Sequence, residues 1–362
     1  MAARPYPFVL HVDLDQFIAA VEVLRRPELA GREVVVGGRG DPTERAVVST
    51  ASYEARERGV RSGMPLRVAA RKAPDAVFLA VDGPHYLAAS ERVVAAVRGL
   101  GLVVEVLGWD EMFVGCDEPD PESVAHRIQR AVLEATRLHC SVGIGDTRVR
   151  AKIATDFGKP QGVFRLTARN WGEVMGDRPT AALWGVGSRV SARLEKLGIR
   201  TVTELAAADP EVLVAEFGPR MGAWYGSLGR GEGSAEVDDT PWVARSHSRE
   251  TTYQENLTTG VQVADAVRVL TDQALDDVAA EGRPVWRVGL KIRYAPFFTV
   301  NRSRKLPAET SDREAVHAAV QALLADHLEE GREVRLLGVR AEMTMPEDDT
   351  GEVDRTPVRG RV

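Results

Sequence analysis

The stretch PFVLHVDLDQFIAAVE, residues 7–22, constrains the fold more than any other part of the chain. Its apolar approach reads as a buried strand, yet that strand ends in Asp13 and Asp15. Strand side chains alternate, so the two acids share one face while Leu10, Val12 and Leu14 share the other. A buried carboxylate without a partner is costly. Either an Arg or a cation therefore waits at the end of this strand, or the acid does no more than cap the helix that begins near Phe17.

A length of 362 residues implies two or three domains. No apolar run is long enough to span a membrane, and the first residues do not form a signal peptide. Cys116, Cys140 and seven histidines make neither a disulfide framework nor a zinc pattern. A cytoplasmic protein with reduced thiols is expected. The net charge of −6 excludes a uniformly basic nucleic-acid binder, but residues 283–305 carry seven Arg or Lys and no acid.

Periodicity predicts strand, helix, strand and further helices over the first 80 residues. Two short strands are expected to meet near Gly108, followed by an amphipathic helix over 121–138 and the strand CSVGIG. Strands with helices between them and acids at their ends make an α+β catalytic layer. Residues 170–237 read as helical and Gly-punctuated, without a strand, and GSAEVDDTPWVARSHS as a linker. Beyond it lies a small α+β module, with helices before a basic strand and before VRLLGVRAEMT. The tail from Pro346 is expected to be disordered.

The second acidic site is GWDEMFVG, where Asp110 and Glu111 can face one point only at a turn or bulge. Alone the pair reads equally as an exposed turn. With Asp13 it forms a set of three carboxylates at strand ends, as a pair of Mg²⁺ ions requires. Phosphate-binding partners exist for such a site. TASYEARERG places Tyr53 and Arg56 on one helical face with Thr50 one turn earlier, and KIATDFGKPQG holds Lys159 at a turn. No P-loop or dinucleotide fingerprint occurs. WGVGSRVSARLEKLGI reads as a helix–hairpin–helix whose turn, Gly185 to Gly187, offers backbone N–H groups to a phosphate. FGPRMGAWYGSLGRG reads as a weaker second copy. In the basic strand Arg287, Lys291 and Arg293 share one face, suited to a phosphate backbone or to a solvated edge.

HVDLDQFIAAVE, STASYEARERGVRSGMPL, GWDEMFVG, CSVGIG, AKIATDFGKPQG, LWGVG with LEKLGI, and RLLGVR occur in this order. With them the chain resembles a Y-family translesion DNA polymerase of the bacterial DNA polymerase IV type, from about residue 8 to 345. The resemblance implies a multidomain α+β right hand. Its palm would comprise residues 1–18 and 80–169, its small fingers 19–79 and its helical thumb 170–237. A linker, 238–247, would lead to the little finger, 248–345. It implies a template-directed, low-fidelity polymerase that joins a dNTP to a primer 3′-hydroxyl and acts as a monomer on primed template DNA. Asp13, Asp110 and Glu111, with the carbonyl of Leu14, would bind two Mg²⁺, for which Mn²⁺ can substitute. Thr50, Tyr53, Arg56, Lys159 and the backbone near Phe17 would grip the triphosphate. Gly185, Gly187, Arg287, Lys291, Arg293, Arg302 and Arg304 would contact DNA.

Three departures from the family pattern carry expectations. Ile18 stands where the family has a Tyr or Phe that excludes a 2′-hydroxyl, so rNTP incorporation is expected beside dNTP. Gly108 and Trp109 replace the small polar residue common before the acid pair. The tail lacks a Gln-led apolar and aromatic peptide, so no strong sliding-clamp binding is expected. The rival readings are a non-catalytic scaffold at repair sites and a palm-type primase or cyclase. The intact acid and cation set argues against the first, and the helix–hairpin–helix with the basic module against the second.

Overall fold

Strand Phe8–Leu14 lies at the centre of a five-stranded sheet, as its apolar sequence requires. The order is Val103–Val106, Glu111–Cys116, Phe8–Leu14, Cys140–Gly145, Val163–Leu166, antiparallel except for the last pair. Leu10, Val12, Leu14, Met112, Val114, Val142 and Ile144 pack against helices Gly83–Arg98 and Pro121–Thr136 in one core. The opposite face carries helix Arg148–Gly158, which the glycines of CSVGIG admit at close range. A Cβ on Gly143 would lie 2.1 Å from the Ala151 carbonyl oxygen, so the helix backbone rests directly on the strand. This contact carries Lys152 and Lys159 to the acid-bearing end of the sheet.

The computed structural model describes residues 4–346. Contacts divide them into two units, one of residues up to 41 with 47–240 and the other of 42–46 with residues from 241 onward.

In the first unit a small sheet joins Thr50–Ala51, Val34–Val36 and Val77–Leu79. Thr50 was expected one helical turn before Tyr53, but it lies in this sheet instead. The helix is only Tyr53–Glu57, and Ser52 caps it by accepting from Ala55 N. The helical region contains Trp171–Met175, Ser188–Lys196, Val202–Ala206, Pro210–Phe217 and Pro219–Gly229. The helix expected before the Gly185–Gly187 turn is a 3₁₀ turn, Thr180–Ala182. Gly185 has φ +91°, and a Cβ there would meet the Trp224 ring at 2.6 Å, so both backbone and packing demand glycine. The second hairpin turns at Gly218. The strandless reading of 170–237 fails at its end, where Glu236–Val237 pairs with Arg4–Pro5.

The second unit is an antiparallel sheet in the order Ser246–Leu257, Val334–Met343, Val285–Tyr294, Phe298–Thr310. Helices Gly260–Glu281 and Arg313–His327 share its core. Two expectations are corrected here. Strand Ser246–Leu257 begins within the stretch read as linker, and the single basic strand is a hairpin turning at 295–297. The expected disorder of the tail falls almost wholly beyond residue 346, outside the described residues.

Candidate active site

Asp13 and Glu111 are cross-strand partners in the central ladder, so their side chains leave the same face of the sheet. Asp110 precedes Glu111 in the turn, and its carbonyl accepts from Leu14 N at 2.8 Å. A cavity of about 220 Å³ opens beside them. Asp13, Leu14, Phe17, Thr50, Tyr53, Arg56, Asp110 and Lys159 all line it, together with Gln16, Ser49 and Ser62. Glu111 and Ile18 are not among the lining residues; Ile18 is part-buried against the core of the five-stranded sheet.

Each acid is held differently. Lys159 Nζ stands 2.9 Å from Asp13 Oδ1. Burial pushes the Asp13 carboxyl above its usual range, against the pull of Lys159. Burial and the neighbouring Glu111 charge likewise raise Asp110. Burial would raise Glu111 as well, but a hydrogen bond from His11 and the charge of Lys152 bring it down to about 2. His11 is itself buried, which lowers its pKa and leaves a neutral ring between Glu111 at 3.3 Å and Thr155 Oγ1 at 2.8 Å. Among the described residues no three His, Cys, Asp or Glu side chains converge closely enough to hold a metal. Asp13 and Glu111 are turned onto ammonium groups instead.

The donor set still fits hard divalent cations. The carboxylates of Asp13 and Asp110 and the Leu14 residue line a cavity together with Arg56, Lys159 and hydroxyl groups. Arg56 is fixed by its Nε–Ala51 O bond of 2.9 Å and lies 5.3 Å from the Tyr53 ring centre. Oxygen ligands for cations thus stand beside cationic and hydroxyl donors for phosphate.

Sequence reasoning left Asp15 without a role beyond structure and missed Gln16, Ser49, Ser62, His11 and Lys152. Asp15 is 4% exposed and accepts from Tyr53 Oη, Ser141 Oγ and Gln161 N. Its period-two spacing from Asp13 was the available signal.

In the second unit Arg287, Lys291 and Arg293 share one sheet face with Arg340 and Lys305, which the strand reading overlooked. Arg302 and Arg304 pair with the buried Leu290 and Val288 and so belong to the opposite, helix-covered face. Arg304 there bonds Asp326 at 2.5 Å. The open face is not purely basic, since Lys291 pairs with Glu250 at 2.6 Å and Arg340 with Glu342 at 2.5 Å.

Comparison with known proteins accords with this geometry. Residues 12–156 match the impB/mucB/samB family, 244–352 its C-terminal domain, and 181–231 the DNA polymerase-iota thumb domain. DNA polymerase IV 2 of Mycobacterium tuberculosis is 49% identical over 340 residues, 93% of this chain and 98% of the relative. The chain belongs to the Y-family DNA polymerases. DNA polymerase IV of Methanoculleus marisnigri is 37% identical over 92% of this chain and 94% of its own. The protein is accordingly a DNA-directed DNA polymerase of the translesion class.

Solved Y-family polymerases share the fold. The chimera Dbh-Dpo4(243-245)-Dbh superposes with a TM-score of 0.80 at 23% identity, over 92% of this chain and 98% of its own. The insertion ternary complex of Dbh DNA polymerase gives 0.64 at 22% identity, over 93% and 98%. Among the described residues no helix is long and apolar enough to cross a membrane.

Proposed function

We propose that this polymerase extends a primer 3′-hydroxyl on a DNA template by two-metal nucleotidyl transfer, with low fidelity and weak sugar discrimination. The observation that carries the proposal is one cavity lined by Asp13 and Asp110 together with Thr50, Tyr53, Arg56 and Lys159. Asp13, Asp110 and Glu111, with the Leu14 carbonyl, would hold the ions. Bound Mg²⁺, or Mn²⁺ in its place, would acidify the primer hydroxyl and neutralise charge on the leaving pyrophosphate. Asp13 and Glu111 would exchange their lysine partners on loading, which frees Lys159 for phosphate. Arg56 offers a planar fork to the triphosphate, Thr50 and Tyr53 their hydroxyls, and the backbone near Phe17 an N–H. Ile18 presents no aromatic edge toward a ribose 2′-hydroxyl.

We assign the palm to residues 1–18 and 80–169, the fingers to 19–79 and the thumb to 170–237, with the little finger beginning at Ser246. The thumb turn at Gly185 and Gly187 and the open face bearing Arg287, Lys291 and Arg293 would track the DNA backbone. The enzyme would act in the cytoplasm as a monomer, and the tail that bears on clamp docking lies outside the described residues.

Single-nucleotide extension of a primed template tests this reading. Changing the template base should change which dNTP is joined, and the matched rNTP should be joined as well. Template-independent addition, or no addition by folded enzyme, would refute the polymerase reading. Addition of dNTP alone would refute only the open gate.

A further inference from the structure

Asp15 is buried, yet among the described residues no Lys, Arg or His forms an ion pair with it. Its oxygens are taken up by three neutral donors. Oδ1 accepts from Tyr53 Oη at 2.8 Å and from Ser141 Oγ at 2.9 Å. Oδ2 accepts from the Gln161 backbone N–H at 2.9 Å. The donors belong to three separate pieces of chain: the short helix Tyr53–Glu57, the palm strand Cys140–Gly145, and the turn that carries Lys159. The next residue completes the clamp. Gln16, at φ 44° in the left-handed region, accepts the Tyr53 backbone N–H through Oε1 at 2.5 Å. Tyr53 is therefore pinned at its backbone and at its phenol by consecutive residues of the palm.

We infer that Asp15 is a positioning residue of the nucleotide site, whose carboxylate sets the Tyr53 hydroxyl and the Lys159 turn in one register before a triphosphate arrives. This rests on the reading of Tyr53 and Lys159 as triphosphate contacts. A carboxylate makes all three neighbours donate. The Gln161 N–H can do nothing else, and the two hydroxyls are turned to donate as well. An amide whose oxygen took the Gln161 N–H would meet the hydroxyls with its NH₂ and reverse the Tyr53 bond. Tyr53 and Asp15 share one hydrogen bond, so substitutions at the two positions act on the same contact and are not additive.

The test is steady-state incorporation by the full chain with Asp15→Asn, Tyr53→Phe, the double variant and Ser141→Ala, alongside primer–template affinity. Asp15→Asn should raise the dNTP KM about tenfold or more while primer–template Kd changes by less than about twofold. The double variant should show less than the product of the single effects on KM. Ser141→Ala removes one of the two donors to Asp15 Oδ1 and should raise the KM by less than Asp15→Asn does; a larger effect than that of Asp15→Asn would count against the inference. A purely structural Asp15 would lower the melting temperature and weaken DNA and dNTP binding together. An unchanged dNTP KM in Asp15→Asn, a parallel loss of DNA affinity, or full additivity with Tyr53→Phe would overturn the inference. If Asp15→Asn does not fold, Asp15→Glu keeps the charge but displaces the acceptors, and an unchanged KM there overturns it equally. Wild-type enzyme that joins no nucleotide would overturn the polymerase reading as well; active wild type with unaltered variants overturns this inference alone.

Discussion

Lys159 Nζ and Asp13 Oδ1 lie 2.9 Å apart at the wall of the cavity. Burial works to discharge Lys159, but Asp13 outweighs it and holds the ammonium's pKa above its usual value. One permanently charged group thus faces both a carboxylate and the space for a phosphate. Lys159→Met should raise the dNTP KM about tenfold or more with primer–template affinity preserved, because the lost contact is to the nucleotide. Steady-state kinetics at saturating primer–template checks this. An unchanged KM would remove Lys159 from the nucleotide site.

The lysine partners also bear on metal removal. Asp13 and Glu111 have counter-charges in Lys159 and Lys152. Chelation with EDTA should abolish incorporation, and Mg²⁺ or Mn²⁺ should restore it. The melting temperature should shift by no more than about 2 °C, within the scale of a sub-kcal/mol change in stability. Thermal melts with and without chelator decide the point. A large fall in melting temperature would make the ions structural.

Ile18 gives the expectation for sugar choice. An apolar contact discriminates against one added hydroxyl by about 10² at best. Ile18→Phe should therefore raise the ratio of dNTP to rNTP kcat/KM by about tenfold or more, with dNTP incorporation largely kept. The two ratios measured on one template test it. Unchanged selectivity would move the gate elsewhere, Phe17 being the neighbour that lines the cavity.

Some of this site was readable in advance because its signals are local. Asp13 sits at the end of an uninterrupted apolar strand, and Asp110–Glu111 follow a glycine between two apolar runs. The clamp around Asp15 was not readable, since its donors lie 38, 126 and 146 residues away and no periodicity links them. Thr50 was misplaced because a two-residue strand leaves no alternation to detect. Arg302 and Arg304 were grouped with Arg293 because the basic run was read as continuous. The Ala295–Pro296 step inside it was the signal for a turn, and the hairpin sets the two arginines on the other face.

Both cysteines are buried, and burial raises the pKa of each thiol, most strongly at Cys140. A raised thiol pKa keeps the reactive thiolate scarce until the pH rises beyond the ordinary range. At pH 8 a disulfide reagent such as DTNB should titrate neither thiol promptly in native enzyme and both after denaturation. Prompt reaction of a thiol in folded protein would show that its strand opens readily.

The decisive measurement is single-turnover incorporation of a matched dNTP by Asp110→Asn in Mg²⁺, beside wild type. Among the described residues Asp110 lines the cavity without an ion pair to lysine, so the substitution removes a proposed cation ligand with the least disturbance of the surrounding ion pairs. The rate should fall by about 10³ or more, with primer–template and dNTP binding retained. A rate within about tenfold of wild type would contradict transfer of the nucleotide at these three acids.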